Sequence, residues 1–403
     1  MEVAYAQGTS KRSGPVNRTI KVLFVVEGYT DIRFVLGLSE ICDLTMVVPA
    51  KQYRESGLDR RILASGARVQ VDELNGGRLR YQAECFRYLW RESRKFDVIL
   101  SQEVLRGSLN SCLIGALRKV PVVTYMCIPP VQYYRCRRER GQCGPVQAML
   151  GEGVIRLLMT LNGRLATTCV ALGPYLMRLA SSYSLNTTSG HYYGVDTEFF
   201  RPANAHEKLQ LRRKLDLPEE SFLIILASRI SHEKDPETVL RATALARARG
   251  LNAVLINLGG GYRDFLNLGA KLALPDAEKW ILGRPAAHPM TELADYYRSA
   301  DAIAQASLDE GAGMTPLEGM ACGVPAVCTS VGGMAGILPG YARLTPRRDA
   351  EAMAEEFWWI STHREEAVAQ ALRGREYVQR EWSRERAFQE LAGVLFSASA
   401  RNS

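Results

Sequence analysis

The segment from residue 301 to residue 333 constrains the fold of the chain more than any other part of its sequence. It reads D-A-I-A-Q-A-S-L-D-E-G-A-G-M-T-P-L-E-G-M-A-C-G-V-P-A-V-C-T-S-V-G-G. The apolar run at 302–306 predicts a parallel strand that is buried on both faces. Pro316 fits the first turn of a helix, where a missing N–H costs nothing, and Gly323 ends that helix before a second strand. The segment therefore predicts one unit of a doubly wound α/β sheet.

The loop between this strand and this helix combines glycines with acidic residues. It contains Gly311 and Gly313 and leads into a helix N-terminus, so its free backbone N–H groups suit a phosphate or another anion. Two carboxylates belong to the same place, Glu310 in the loop and Glu318 on the first turns of the helix. A helix N-terminus stabilises acids, and charged acceptors of paired hydroxyls also discriminate a sugar, so both interpretations stay open from these residues alone.

Strands alternate with helices in both halves of the chain. Five apolar segments of the first half predict strands, at residues 20–26, 46–48, 69–71, 97–100 and 120–124. The second half repeats the pattern with strands at 222–227, 254–258 and 280–283 and helices at 237–249 and 291–300. Such alternation predicts two parallel sheets with helices on both faces. A chain of 403 residues is long enough for two domains of this kind.

The order E-G-x-G-x-x-P-x-E-x-M-A-x-G-x-P, which begins at Glu310 and is followed by V-G-G, resembles the donor-site signature of retaining glycosyltransferases of the GT-B fold. The resemblance is to the group 1, family 4-like enzymes, which include bacterial mannosyl-, glucosyl- and N-acetylglucosaminyltransferases. It implies two Rossmann-like domains that face each other across a cleft. It also implies a nucleotide-diphosphate sugar as donor and an unknown hydroxyl compound as acceptor.

Carried over by position, the resemblance assigns roles to Gly28 of the first half and to several residues of the second half. Glu310 would bond hydroxyls of the transferred sugar, and Glu318 would hold the ribose. Arg229 and Lys234 have the spacing S-R-x-x-x-x-K, which matches the two diphosphate-binding cations of the family. Other donor contacts are expected from glycine turns and loop N–H groups, at Gly28, Gly260, Gly283, Arg284, Gly311, Ala312, Gly313, Met314 and Thr315.

A nucleotide-sugar donor gains negative charge on its diphosphate as the glycosidic bond breaks. Fixed cations beside it stabilise the transition state more than the ground state. Arg229, Lys234 and Glu310 are therefore the catalytic candidates. Because these cations and the helix N–H groups neutralise the charge, and no Asp-x-Asp pair stands where one is expected, neither a metal nor another cofactor is predicted.

The first half is expected to supply acceptor contacts, and here the sequence departs from the family pattern. Many relatives carry a histidine after the fifth strand, whereas P-V-V-T-Y-M-C places Cys127 at that position. Cysteine is a poor proton donor near neutral pH without a partner, so the role of the histidine is not carried over. The acceptor-side candidates are Tyr125, Cys127 and Arg135.

The positive charge of the chain belongs to its first half. Residues 1–200 contain 26 Lys and Arg against 17 Asp and Glu, and residues 201–403 contain 25 against 26. The excess is concentrated at 78–95 and 133–140. Such a face suits anionic lipid head groups, a lipid-linked or phosphate-bearing acceptor, or nucleic acid, and a solvated helix face is an equal interpretation. No recognition motif accompanies these runs, so nucleic acid is not expected.

The sequence also predicts domain boundaries and a cellular compartment. Residues 1–19 predict a disordered tail, 20–195 the acceptor-side domain, 196–375 the donor domain, and 376–403 a helix that crosses back to the first domain in relatives. Nine dispersed cysteines point to a reducing compartment, and neither a secretory signal nor an apolar run of roughly 18 residues is found. We expect a cytoplasmic protein, and membrane association on the cytoplasmic face is an extension of this expectation.

Three alternatives are open at this point. A sugar epimerase or a phosphorylase of the GT-B fold is disfavoured by the signature and the cation pair, and no cofactor lysine site of a phosphorylase is found. A non-catalytic module that binds a sugar nucleotide or a partner is motivated by Cys127. A nucleic-acid binder is the least favoured. The leading hypothesis is a retaining, metal-independent transferase of a hexose or an N-acetylhexosamine.

Overall fold

The chain forms two domains, each built on a parallel β-sheet. The computed structural model describes residues 20–139, 141–285 and 290–401. Within these residues the first sheet has seven strands: β1 (Lys21–Val25), β2 (Asp43–Pro49), β3 (Val69–Leu74), β4 (Val98–Gln102), β5 (Val122–Met126), β6 (Thr168–Leu172) and β7 (Thr187–Gly190). Their spatial order is β3-β2-β1-β4-β5-β6-β7, and all neighbours are parallel.

The second sheet is also parallel. In the described part of the chain it has six strands: β8 (Phe222–Leu226), β9 (Ala253–Leu258), β10 (Ile281–Arg284), β11 (Ala302–Gln305), β12 (Ala326–Thr329) and β13 (Arg343–Thr345). Their order is β10-β9-β8-β11-β12-β13. The central strands β8, β9, β11 and β12 are buried at every residue, because helices cover both faces of the sheet.

Helices connect the strands in both domains. Those up to β7 are α1 (Ile32–Ile41), α2 (Ala50–Glu55), α3 (Leu58–Ser65), α4 (Arg78–Glu92), α5 (Arg106–Arg118), α6 (Gln132–Glu139), α7 (Pro145–Leu165) and α8 (Gly173–Ser181). Those after β7 are α9 (Ala205–Lys214), α10 (Pro236–Ala248), α11 (Tyr262–Lys271), α12 (Ala277–Trp280), α13 (Met290–Ser299), α14 (Met314–Ala321), α15 (Met334–Ile337), α16 (Ala350–Thr362), α17 (Arg364–Glu381) and α18 (Arg384–Ala400). Short 3₁₀ turns occur at Ser93–Lys95 and His232–Lys234.

The strand order reverses once in each sheet. The first sheet reverses between β1 and β4, and the second between β8 and β11. In a doubly wound sheet, the loops at the carboxyl ends of such strands splay apart and leave a crevice for a ligand. The loops after β1, β4, β8 and β11 are therefore the places where the fold positions a site.

The final helix packs on the first domain. Its ring of Phe388 lies so close to Gly37 of α1 that a Cβ at Gly37 would overlap it. The indole of Trp382, between α17 and α18, meets the ring of His191 edge-on, with centroids 4.7 Å apart. The chain thus leaves the second domain at Trp382, later than the predicted boundary at residue 376.

The predicted class of two doubly wound α/β domains is confirmed, and the differences concern individual strands. The strand predicted at 120–124 is β5, which begins only after Pro121. Strands β6, β7 and β13 were not predicted: β13 has only three residues and the edge strand β7 has the polar sequence T-T-S-G, whereas β6 is as long and apolar as strands that were predicted. The predicted tail at residues 1–19 lies outside the described residues. Among the described helices, none is long and apolar enough to cross a membrane.

Candidate active site

A cavity of ≈ 690 Å³ lies between the two domains. The loop after β1 lines one side of it with Gly28 and Tyr29, and the end of β4 and its following loop contribute Gln102 and Glu103. The loops after β8 and β11 and the start of α14 line the other side, with Arg229, Lys234, Glu310, Met314 and Thr315. The reversal points of both sheets therefore open into the same space.

Glu310 and Lys234 form an ion pair on the second-domain wall of the cavity. Lys234 ends the 3₁₀ turn after β8, and Glu310 lies in the loop after β11. The Oε2 atom of Glu310 also accepts hydrogen bonds from Gln305 Nε2 at 2.6 Å and Ser307 Oγ at 3.1 Å. These bonds fix the carboxylate and keep the ammonium group beside open space, where an anion can reach it.

Glycines make the tight path of the Glu310 loop possible. Gly313 has a φ of 85°, in the left-handed region that favours glycine, and it directly precedes α14. The N–H of Gly333 donates to the Glu310 carbonyl at 2.9 Å, and a Cβ at Gly333 would overlap the Gly311 carbonyl oxygen. The loop thus reaches the start of α14, whose first N–H groups have no partner inside the helix. Met314 and Thr315 bring this helix end to the cavity.

Arg229 lines the same wall in an exposed position. Its Nη2 atom pairs with Glu233 at 2.7 Å, and 71% of its side chain is accessible to solvent. Exposed pairs of this kind contribute little to stability, so the guanidinium can turn towards an anion at small cost.

Glu318 is buried at the boundary between the domains, with 3% of its surface accessible. Its Oε1 atom accepts a hydrogen bond from Arg33 Nη1 at 2.5 Å, and its Oε2 atom accepts one from the Tyr297 hydroxyl at 3.1 Å. Burial raises the pKa of Glu318, and the charge of Arg33 offsets only part of this shift. Both carboxylate oxygens are therefore in use, and a ribose hydroxyl would have to share or replace the bond from Arg33.

Arg33 is held from the first-domain side. Asp31 caps α1 and accepts from Arg33 Nε and Nη2 at 2.9 and 2.8 Å, and the guanidinium lies 3.8 Å from the ring centroid of Tyr193. Burial alone would lower the pKa of Arg33, but Asp31, Tyr193 and Glu318 hold it well above its ordinary value. Asp31 and Tyr193 line the cavity, so the Arg33–Glu318 pair joins the domains beside it. Sequence reasoning missed this pair, although it had selected Gly28, in the loop before α1, as a donor contact.

Glu103, directly after β4, is a further candidate that sequence reasoning missed. Its φ of 68° is unusual for a residue with a side chain. Its Oε2 atom is buried and, among the described residues, has no hydrogen-bond partner. Burial raises the pKa of Glu103 to about 8, although the backbone N–H groups of Cys127 and Ile128 and the Cys127 thiol favour its charged form. A strained backbone and an unpaired carboxyl oxygen at a cavity are typical of functional positions.

Cys127 lines the cavity next to Glu103. Burial and the nearby Glu103 raise the pKa of its thiol well above the ordinary value. A thiol of this kind is neither a nucleophile nor a useful acid near neutral pH. Its contribution in this geometry is a contact that helps to hold the Glu103 carboxyl.

Two arginines of the first domain also line the cavity. Arg78 begins α4 and Arg106 begins α5, both at the carboxyl end of the sheet. Arg106 pairs with Glu27 at 3.0 Å, and the other oxygen of Glu27 accepts from the Gly107 N–H at 2.7 Å. The first-domain wall therefore combines an uncharged or weakly charged carboxyl at Glu103 with guanidinium groups that suit a phosphate.

The structure does not bring every predicted residue to the cavity. Tyr125 is buried in the core of the first domain, where its hydroxyl accepts from the Tyr192 N–H at 2.6 Å. Arg135 on α6 points to Glu152 of α7, at 3.5 Å. Both are therefore structural contacts rather than acceptor contacts in this geometry.

The donor contacts predicted at the ends of β9 and β10 are not among the described residues that line the cavity. Gly260 accepts a bond from the Ile230 N–H at 3.0 Å, and Arg284 reaches the Asp216 carbonyl at 3.5 Å. Gly283 packs against Tyr262. Residues 286–289, next to this turn, lie outside the described residues, so the predicted nucleobase contact stays a prediction. Among the described residues, no group of three or more His, Cys, Asp or Glu is placed to hold a metal ion.

Comparison with known sequences points to one family. Residues 207–377 match the family model for glycosyl transferases group 1. The D-inositol 3-phosphate glycosyltransferase 1 of Catenulispora acidiphila is 29% identical over 308 residues, which cover 73% of this chain and 67% of the relative. The D-inositol 3-phosphate glycosyltransferase of Stackebrandtia nassauensis is 36% identical over 154 residues, 35% of this chain and 33% of the relative. The second alignment thus spans about a third of that relative.

Comparison with solved structures concerns the fold. Anabaena Alr3699/HepE in complex with UDP-glucose superposes with a TM-score of 0.74 at 14% identity and covers 94% of this chain and 100% of its own. The sucrose-phosphate synthase of Thermosynechococcus elongatus gives a TM-score of 0.74 at 18% identity and covers 95% and 100%. At such identities the likeness shows the architecture alone, which is the GT-B arrangement of two Rossmann-like domains around a cleft.

Proposed function

Because its second domain belongs to the glycosyl transferases group 1 family, we propose that this protein transfers a hexose or N-acetylhexosamine from a nucleotide-diphosphate sugar to an acceptor hydroxyl. The observation that carries the proposal is the second-domain wall of the cavity. There the Lys234–Glu310 pair, Arg229 and the start of α14 converge on one space. A cation pair beside free N–H groups suits a diphosphate, and a fixed carboxylate suits sugar hydroxyls.

The reaction breaks the bond between the anomeric carbon and the diphosphate oxygen and forms a bond to the acceptor oxygen. Lys234, Arg229 and the helix N–H groups stabilise the charge that grows on the departing diphosphate, without a metal. Glu310 orients the sugar through its hydroxyls. The acceptor attacks from the side that the diphosphate leaves, and its proton passes to the departing phosphate, so the anomeric configuration is retained.

The acceptor is proposed to carry a phosphate. Arg78 and Arg106 on the first-domain wall supply guanidinium groups for it, and Glu103 supplies a contact for the reacting hydroxyl. The names of the sequence relatives give a concrete first acceptor to test, D-inositol 3-phosphate.

The donor class is tested by thermal unfolding in the presence of UDP, GDP, ADP and their common sugar conjugates. A ligand at a hundred times its Kd adds about 2.7 kcal/mol to the free energy of unfolding, so the matching nucleotide raises the Tm. We expect one series, with UDP tested first, to raise it. If no nucleotide raises the Tm, the donor site is wrong. If one binds but neither donor hydrolysis nor transfer occurs, the non-catalytic binding module is the better description.

Replacing Glu103 by glutamine is expected to change how stability depends on pH. The folded protein holds the Glu103 proton up to about pH 8, whereas the unfolded chain releases it near 4.5. The stability that this proton provides is complete below pH 4.5 and is lost as the pH rises through 8. Glutamine cannot titrate, so E103Q should gain Tm relative to the wild type between pH 6 and pH 9.

The control for this comparison is E355Q, at an exposed glutamate. E355Q should follow the wild-type pH dependence. If E103Q does so too, Glu103 is an ordinary carboxylate in the folded protein. If Glu103 contacts the acceptor, E103Q should also raise the KM of the acceptor and leave the Kd of the donor unchanged.

A further inference from the structure

One face of α7 is apolar along the length of the helix and exposed to solvent. Its exposed side chains recur at helical spacing, at Val146, Met149, Leu150, Val154, Leu157 and Leu161, with between 38% and 65% of their surface accessible. A helix on the surface of a globular domain normally turns its apolar stripe towards the core. An exposed apolar stripe several turns long is therefore typical of a surface that meets another phase or molecule.

Helix α5, which lies beside α7, and helix α4, which lies beside α5, extend this surface. Helix α5 packs against both α4 and α7. It exposes Leu113 and Leu117, at 38% and 63%. Helix α4 exposes Leu79, Phe86 and Trp90, which share one side of the helix because they are separated by seven and four residues. We call these exposed apolar side chains of α4, α5 and α7 the apolar face.

Arginines accompany the apolar face. On α4, Arg80, Arg87 and Arg91 follow the apolar stripe at the same spacing, displaced by one residue. The guanidinium of Arg118 on α5 lies 5.0 Å from the ring centroid of Trp90. Arg87 pairs with Glu84, but in the described part of the chain no ion pair uses Arg80, Arg91 or Arg118. The face thus combines apolar side chains with positive charge that is not neutralised.

We propose that the apolar face docks the protein on an anionic phospholipid membrane. Apolar side chains enter the region between head groups and acyl chains, while arginines bind lipid phosphates and Trp90 takes the position at the interface that its ring prefers. A second copy of the chain fits less well, because a two-fold contact would bring the same unpaired arginines against each other. A nucleic acid would leave the aliphatic side chains of α7 unburied.

The apolar face adjoins the cavity. Helices α4 and α5 begin with Arg78 and Arg106, which line the cavity, and Leu79 is the second residue of α4. A protein docked by this face would hold its first-domain wall near the head groups. The inference goes beyond the proposed function, because membrane docking needs neither donor nor turnover.

The test is co-sedimentation of the full chain with vesicles of phosphatidylcholine alone and of phosphatidylcholine with a quarter phosphatidylglycerol. We expect binding to the anionic vesicles that weakens as salt rises. L150Q/V154Q should lower the partition coefficient by about tenfold or more, since it removes two exposed apolar side chains that the membrane would bury. R80Q/R91Q should lower binding to the anionic vesicles and make it less sensitive to salt.

The matched control is V368Q/L372Q on α17, which changes an exposed apolar pair with the same spacing in the other domain. It should bind vesicles like the wild type. The Tm without vesicles should be equal in the wild type and all these variants, which separates failed docking from failed folding. The proposal is overturned if the wild type binds neither vesicle, if L150Q/V154Q binds normally, or if the apolar face instead forms a dimer that L150Q/V154Q abolishes in sedimentation velocity.

Discussion

Replacing Lys234 by alanine is expected to lower kcat/KM for the nucleotide-sugar donor by about 10²–10³-fold, the loss typical of removing one preorganised charge from a transition state. The loss should fall mainly on kcat, because charge on the diphosphate is greatest when the glycosidic bond is breaking. Glu310 loses its ion-pair partner in K234A, but Gln305 and Ser307 still donate to its Oε2. The protein should therefore stay folded.

Steady-state kinetics of K234A and K234R, with the Tm of each, check this expectation. K234R should recover part of the activity, since it restores the charge but not the shape. K279A is the control, because Lys279 is an exposed lysine that pairs with Asp276. It lies on α12, before the start of β10, whereas the cavity lies at the carboxyl ends of the strands. Near-normal kcat/KM in K234A would remove Lys234 from the site.

Replacing Glu318 by alanine is expected to have two effects. The donor Kd should rise by about 10²-fold, because the ribose loses its charged acceptor. The free energy of unfolding should fall by ~3 kcal/mol, because Arg33 loses its ion-pair partner at the buried boundary between the domains. The first effect is read by calorimetric titration of the nucleotide, and the second by urea unfolding.

Arg33→Met separates these two effects. It removes the interdomain ion pair but leaves the Glu318 carboxyl in place, so it should lower stability without the large loss of donor affinity. E318Q keeps the bond to the Tyr297 hydroxyl and should lie between wild type and E318A. If R33M and E318A weaken donor binding equally, Glu318 acts through the domain boundary rather than on the ribose.

The second-domain wall of the cavity was the most predictable part of the site. Lys234 and Glu310 are separated by 76 positions, yet each follows a strand at the reversal point of the same sheet. Apolar runs locate such strands in the sequence, and the parallel topology then brings the ends of neighbouring strands together. The glycines of the loop were a further signal in the sequence, because a backbone that passes this close to another leaves no room for a side chain.

The domain boundary was not predictable in the same way. Arg33 and Glu318 are separated by 285 positions and meet only because the two sheets face each other at a particular distance and angle. Glu103 differs from other glutamates only through its burial and backbone conformation, which no local pattern records. Tyr125 was misplaced for a related reason, since a strand that is buried on both faces gives no sign of which side chains point to the ligand.

The return of the chain through Trp382 has a mechanical consequence. The two connections between the domains run side by side, where the Val195 N–H donates to the Trp382 carbonyl at 2.7 Å and the Arg384 N–H donates to the Val195 carbonyl at 3.0 Å. Two backbones joined in this way restrict the relative movement of the domains more than one free linker would. Any change in the width of the cleft must therefore keep or break these two hydrogen bonds, and it would also change the distance from Arg33 to Glu318.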